Sequence, residues 1–166
     1  MVDQMNNSNY TKWVACWGNA TSISDREIST YSKNLTLRYP VRMCFNGSKL
    51  RFHFSNITGT ENVKITKAFV ADVTKDDGSY KPVYIMQNGK AEILIPKGEE
   101  VVSDEVEFEV RKGDTLTVSL YFADFTQMSA GTLVSGPLSK AQFAYGDFAD
   151  CRILPRDLSK STQWFY

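Results

Sequence analysis

SKLRFHFSNITGTENVKITKAFVADV, residues 48–73, is the stretch whose reading decides the fold. Leu50, Phe52 and Phe54 alternate with Arg51, His53 and Ser55, the two-residue period of a strand with one buried face. Residues 56–61 carry Gly59 among Asn and Thr and read as a loop. Val63, Ile65, Phe69, Ala71 and Val73 then share one parity, with Lys64, Thr66, Lys67, Ala68, Val70 and Asp72 between them. Val70 is apolar on the opposite parity, which predicts cover on both faces of that strand. The expectation is two long strands joined by one turn. Burial of each Phe or Ile, at roughly 1.5–3 kcal/mol, holds their register, since a one-residue slip would turn the rings into water.

Upstream of this spine, KWVACWG (12–18) reads as a first strand and 19–33 as a long surface excursion. NLTLRYPVRM (34–43) reads as a strand that Pro40, lacking a donor, makes an edge or interrupts with a bulge. Asn46-Gly47 is a hairpin signal leading into the spine. Downstream, KDDGS (75–79) is a turn, 80–87 a strand, Asn88-Gly89 a second hairpin turn and 90–95 the returning strand. Residues 105–111 turn Val106, Phe108 and Val110 inward. Residues 115–122 turn Leu116, Val118, Leu120 and Phe122 inward and Thr117, Ser119 and Tyr121 outward. The signal weakens into a Ser/Gly-rich loop over 123–138, returns as a last internal strand at 142–145 and is irregular over 146–162. About nine or ten short strands with frequent turns and almost no helical period predict an all-β, antiparallel, two-sheet β-sandwich, jelly-roll-like. Residues 12–166 form one domain behind a disordered polar tail, 1–11. The chain stops on three aromatics, Trp164-Phe165-Tyr166, where a solvated end is usual. The expectation is that the polypeptide normally continues.

Composition narrows the function. An apolar share of 42% and a charged share of 23% in 166 residues are those of a globular domain with a true core. Nineteen basic against nineteen acidic residues leave no basic excess for nucleic acid or an anionic membrane. No apolar run is long enough to span a bilayer. MVDQMNNSNYTK (1–12) lacks the apolar stretch of a signal peptide. The protein is therefore read as cytoplasmic, or as secreted with its signal removed. Cys16, Cys44 and Cys151, odd in number and without a CxxC, read as free thiols in a reducing compartment. Sequons start at Asn6, Asn9, Asn19, Asn34, Asn46 and Asn56 and read as unglycosylated Asn-rich loops.

Chemistry is sparse. His53 is the only histidine, mid-strand between Arg51 and Ser55, and reads as a surface or interface residue. Gly113-Asp114-Thr115-Leu116 imitates the Gly-Asp-Ser-Leu block of lipolytic hydrolases, but Thr115 opens an alternating strand, so the match is read as coincidence. Glu99, Glu100, Asp104, Glu105, Glu107 and Glu109 could surround calcium; their alternation reads as a solvated strand face. No motif calls for a metal or cofactor. Trp13, Trp17, Tyr80, Tyr84 and Trp164 offer either a sugar-stacking platform or buried and domain-interface contacts. Trp13 and Trp17, four apart, are expected on one strand face.

Several stretches, taken in order, resemble a family. They are Trp13, Trp17 and Gly18; Thr36-Leu37-Arg38; 47–56 followed by Gly59; Ile95-Pro96-Lys97-Gly98; Val102-Ser103-Asp104; and 116–121. Together they resemble the N-terminal β-sandwich of two-domain SGNH (GDSL-type) hydrolases. The run from Gly146-Asp147-Phe148 to Gln163-Trp164-Phe165 resembles that family's segment before its catalytic domain. The resemblance implies an esterase or acylhydrolase parent whose catalytic Ser, oxyanion-hole groups and Asp-x-x-His lie in a following α/β domain and not in this chain. It also implies a partner, the C-terminal catalytic domain of the same polypeptide. On this reading Arg51, His53, Ser55, Asn56, Gly59, Tyr145, Gly146 and Asp147 face the domain interface or cleft. Two other readings stand beside it: a carbohydrate-binding module using Trp13, Trp17 and Trp164, and a stand-alone interaction domain with a cysteine at a dimer face.

Overall fold

The computed structural model describes residues 12–18, 31–74, 78–128, 132–133, 141–156, 158, 160–162 and 164–165. The named elements are all strands: β1 (Tyr31–Ser32), β2 (Leu35–Arg42), β3 (Gly47–Leu50), β4 (His53–Ser55), β5 (Val63–Ile65), β6 (Lys67–Ala71), β7 (Val83–Tyr84) and β8 (Ile93–Ile95) in the first half. The second half adds β9 (Glu100–Val102), β10 (Val106–Val110), β11 (Thr115–Phe122), β12 (Thr126–Gln127), β13 (Thr132–Leu133), β14 (Ala141–Tyr145), β15 (Lys160–Thr162) and β16 (Trp164–Phe165).

One antiparallel ladder, folded over on itself, accounts for most of the pairing. β2 runs against β11 from Leu35 opposite Phe122 to Arg42 opposite Thr115. Beyond a corner the same two arms continue, with Leu50 opposite Val106, His53 opposite Val102 and Ile65 opposite Ile93. The ladder stays closed at the corner: the Met43 amide donates to the Asp114 carbonyl at 2.8 Å, and the Gly113 amide donates to the Met43 carbonyl at 2.8 Å. β6 then inserts beside β11, which gives a six-stranded sheet in the order β15-β14-β2-β11-β6-β7. The arms 47–65 and 93–110 arch over one face of this sheet and make the fold sandwich-like.

The core lies between them. Leu35, Leu37, Tyr39 and Val41 from β2 join Leu116, Val118, Leu120 and Phe122 from β11 and Ala68 and Val70 from β6. Phe54, Val63, Ile65, Ile93, Ile95, Val106 and Val110 close the core from the arch. For β10 and β11 these are the alternating positions that sequence marks as inward, and each large side chain buried here stabilises by about 1.5–3 kcal/mol.

Several expectations need correction. The sixteen strands among the described residues exceed the number expected, in part because breaks at 51–52, 56–62, Thr66 and 103–105 divide continuous arms. Residues 48–55 and 63–73 do not pair with each other; both pair with the opposite arm. The inward parity also changes at Thr66, from Val63 and Ile65 to Ala68 and Val70. There the Thr66 amide donates to the Tyr121 carbonyl, and its Oγ1 accepts from the Ala123 amide. Phe69 and Ala71 are buried on the other face, so β6 is covered on both sides, as Val70 suggests. Asn46-Gly47 is a corner, not a hairpin: Asn46 Oδ1 accepts from the Lys112 amide of the facing arm. Asn88-Gly89 is the hairpin turn expected, with φ of 53° and 74° and reciprocal bonds between Gln87 and Lys90. Pro40 stands where β14 no longer accompanies β2, so its missing donor breaks no ladder. Residues 12–18 form no strand. The 1–11 tail and the 75–77 part of the KDDGS turn lie outside the described residues.

Asn56 ties the arch together. It is fully buried. Its Nδ2 donates to the carbonyls of Glu61 (2.8 Å), Ile95 and Pro96 (both 3.2 Å), and its own carbonyl accepts from the amides of Gly59 and Gly98. A glycan on Nδ2 is incompatible with these bonds. A Cβ at Gly59 would stand 1.8 Å from Asn56 Oδ1, on an amide that its Nδ2 bonds hold in place. Gly59→Ala is therefore expected to cost about 2–4 kcal/mol in urea unfolding. Gly47→Ala, whose added carbon meets Val110 at an ordinary 3.6 Å, is expected to stay within about 0.5 kcal/mol of the parent.

Candidate functional site

The ends of β2, β11, β6 and β14 that carry Leu35, Phe122, Lys67 and Tyr145 fall together at one end of the sandwich. Loops extend this rim on both sides. The Gly146 amide donates to the Asn34 carbonyl at 2.6 Å, and Tyr121 Oη donates to Asn34 Oδ1 at 2.9 Å. Short β1 pairs with β12, Tyr31 opposite Gln127. The 56–61 loop joins the same structure, because Gln127 bonds Thr60 and Tyr31 Oη donates to Glu61 at 2.6 Å. The loop holding Asn56 and Gly59 and the one holding Tyr145, Gly146 and Asp147 are thus linked to the same end through β1, β12 and Asn34, although about ninety positions separate them in sequence.

The rim combines exposed rings with ion pairs. Phe125 is 70% exposed and Tyr145 58%, with Tyr31 also exposed. Lys33 sits 4.8 Å over the Phe125 ring. Lys67 pairs with Asp147 and lies over Tyr121; the bond to Asp147 raises the Lys67 pKa. Lys64 pairs with Asp124 at 2.5 Å. Asp147 is therefore an anchored residue of the rim, whereas Asn56 is buried scaffold beneath it.

The other predicted residues sit elsewhere. Arg51 and His53 project from the outer face of the arch, and half-buried Ser55 pairs with Glu100. Arg51 stacks on Trp13 at 4.4 Å and bonds Glu105 at 2.5 Å. Lys49 bridges Glu105 and Glu107 at 3.2 and 2.9 Å. Asp104 accepts from the amides of Asn88 and Gly89, capping the hairpin turn. Asp104, Glu105 and Glu107 of the acidic cluster are thus engaged by lysine, arginine and backbone, and among the described residues no three His, Cys, Asp or Glu side chains gather as a metal site requires. Thr115 opens β11 opposite Arg42. Trp13 and Trp17 are exposed on a segment without strand geometry, and Trp164 is described through its backbone pairing with Leu133.

Sequence reading missed the far face of the large sheet. Thr117 and Ser119, expected outside, are buried there with Thr36 and Arg38, because 146–154 crosses over them as a strap. Arg38 Nε donates to Ser119 Oγ at 2.9 Å, and its terminal nitrogens donate to the carbonyls of Phe148 (2.9 Å), Cys151 (2.5 Å) and Arg152 (3.1 Å). Desolvation lowers the Arg38 pKa, yet a guanidinium stays charged. Thr36 Oγ1 donates to the Gly146 carbonyl and accepts from the Phe148 amide. A buried arginine in a β-strand is the signal that could have found this strap. Beside it opens a cleft of about 350 Å³ lined by Arg38, Arg152, Arg156, Gln142 and Leu154 among others.

No protein-family model matches this chain, and no curated protein matches it significantly.

Two outcomes follow from these contacts. Arg38→Met orphans the carbonyls of the strap and is expected to cost about 2–4 kcal/mol by urea unfolding; Arg38→Lys, with one compact head, recovers only part of it. Glu105 is held below the ordinary carboxylate value of 4.5 first by the hydrogen bond from Lys49 and further by the charges of Lys49 and Arg51, against a smaller opposing desolvation. A depressed folded-state pKa stabilises above that ordinary value and loses its contribution as pH falls through the lower folded one. Glu105→Gln is expected to flatten the fall in Tm below about pH 4.5, measured by calorimetry across pH 2–7.

Proposed function

We propose that this chain is the noncatalytic β-sandwich domain of an SGNH-type hydrolase, which packs on a catalytic α/β domain and shapes its substrate cleft. The observation that carries this reading is that loops 56–61 and 145–147 are held to the same end of the sandwich, one through β1 and β12 and the other through Asn34. On the resemblance carried by the ordered motifs from Trp13 to Phe165, these loops are the ones expected to face the catalytic domain. Exposed rings of Tyr31, Phe125 and Tyr145 among ion pairs are the composition of an interface, where aromatic side chains supply contact area at small entropic cost. Thr36 and Arg38, part of one motif, hold the strap that ends in Gly146 and Asp147. The motif residues therefore act together in placing the rim.

The carbohydrate-binding reading has less support. One face of the Trp13 ring already carries the Arg51 guanidinium, and Trp13 and Trp17 have no strand to align them into a platform.

The test is p-nitrophenyl acetate hydrolysis. Residues 1–166 alone are expected to turn over no faster than background. When the chain is joined to a catalytic SGNH domain, Phe125→Ser with Tyr145→Ser is expected to lower kcat/KM about tenfold, equivalent to roughly 1.4 kcal/mol of transition-state stabilisation, with the sandwich still folded by circular dichroism. Turnover by the isolated chain that His53→Ala abolishes would place the catalytic site in the sandwich and overturn the proposal.

A further inference from the structure

We propose that Cys16 and Cys44 form a thiol-modification site, a pair set to close a disulfide that ties segment 12–18 to the corner between β2 and β3. The inference is independent of the hydrolase reading. Cys16 Sγ accepts a hydrogen bond from the Cys44 amide at 3.0 Å and lies 3.7 Å from Met43 Sδ. A sulfur 3.0 Å from the Cys44 nitrogen keeps the two Cα atoms within about 7 Å, near the upper limit for a disulfide. Cys44 is exposed and Cys16 half-buried, so the remaining motion is side-chain rotation at an open position.

The site has a mechanical role. Segment 12–18 joins no ladder; it is moored by side chains, Trp13 on Arg51 and Cys16 on the corner. The corner is rigid, because both arms stay paired through Met43, Gly113 and Asp114. A covalent bond there converts a side-chain mooring into a permanent one across 28 positions of sequence, and the gain from cross-linking grows with the loop enclosed.

The oxidant is an external disulfide such as oxidised glutathione. One cysteine thiolate attacks it, forming a mixed disulfide and releasing one glutathione; the second cysteine then displaces the other glutathione. Two protein thiols become one disulfide, one glutathione disulfide becomes two thiols, and the two cysteine protons pass to the departing thiolates. Cys151 is the bystander. It belongs to the strap, and desolvation, followed by Asp150, pushes its thiol pKa up, which slows exchange.

The experiment exposes the full chain to oxidised glutathione, caps remaining thiols with iodoacetamide and maps tryptic peptides by mass spectrometry. Expected is a Cys16–Cys44 cross-linked peptide two hydrogens lighter than its parts, an alkylated Cys151 and a Tm raised by about 5 °C or more, all reversed by dithiothreitol. Cys44→Ser, a substitution at an exposed position, is expected to fold normally and lose both the bridge and the Tm gain. Cys16 and Cys44 recovered alkylated, as separate glutathione adducts, or bridged between chains would overturn the proposal.

Discussion

Backbone pairing between residues 35–65 and 93–122 is the constraint on which the rest of the structure depends. A ladder of this length cannot lie flat and bury one face by itself, so it folds over. The chain makes the fold at a corner where Met43 remains bonded to Gly113 and Asp114. Register survives the bend, and Leu37 and Tyr39 on the sheet come to face residues of the arch such as Phe54 and Ile95 in one core. A one-residue slip anywhere along the ladder would turn all of these toward water.

The two faces of the large sheet are stabilised in different ways. Toward the arch its buried core is apolar apart from the Tyr39 hydroxyl. Toward the strap it carries buried Thr36, Arg38, Thr117 and Ser119 beside Phe69 and Ala71, and its organiser is a cation that, among the described residues, forms no ion pair with a carboxylate. Arg38 satisfies its buried donors with carbonyl oxygens and one hydroxyl, which fixes the path of a segment that has almost no regular structure of its own. Asn56 acts in the same way beneath the arch, donating from one amide to carbonyls of two separate stretches, at Glu61 and at Ile95-Pro96. Buried polar side chains that bond backbone rather than each other position irregular chain, and here they bring distant loops to a common rim.

Alternation made much of this fold legible. Residues 115–122 display their inward set without error, and Asn88-Gly89 carries its turn in its own φ preferences. Partner choice was not legible. Two adjacent strands joined by a short polar loop look the same in sequence whether they pair with each other or both pair with a distant arm, and the second arrangement was the one formed. Asn46-Gly47 misled for a related reason: its side chain bonds across to Lys112, so the turn serves a corner. The candidate rim was half legible. Its loops could be named from their composition, but Tyr31 and Phe125 join it only through the β1–β12 pairing.

The sequence alone determined what local chemistry controls: an all-β chain, the parity of most strands, the Asn88-Gly89 turn and the small number of groups able to act on a substrate. The break in parity at Thr66 shows the limit, since the bonds that cause it come from Tyr121 and Ala123. Tertiary structure decided which strands are neighbours, that Thr117 and Ser119 lie under a strap, that Cys16 meets Cys44, and that loops far apart in the chain share one end. The physical reason is that each of these depends on a hydrogen-bond partner contributed from dozens of residues away, and no local pattern encodes which partner arrives.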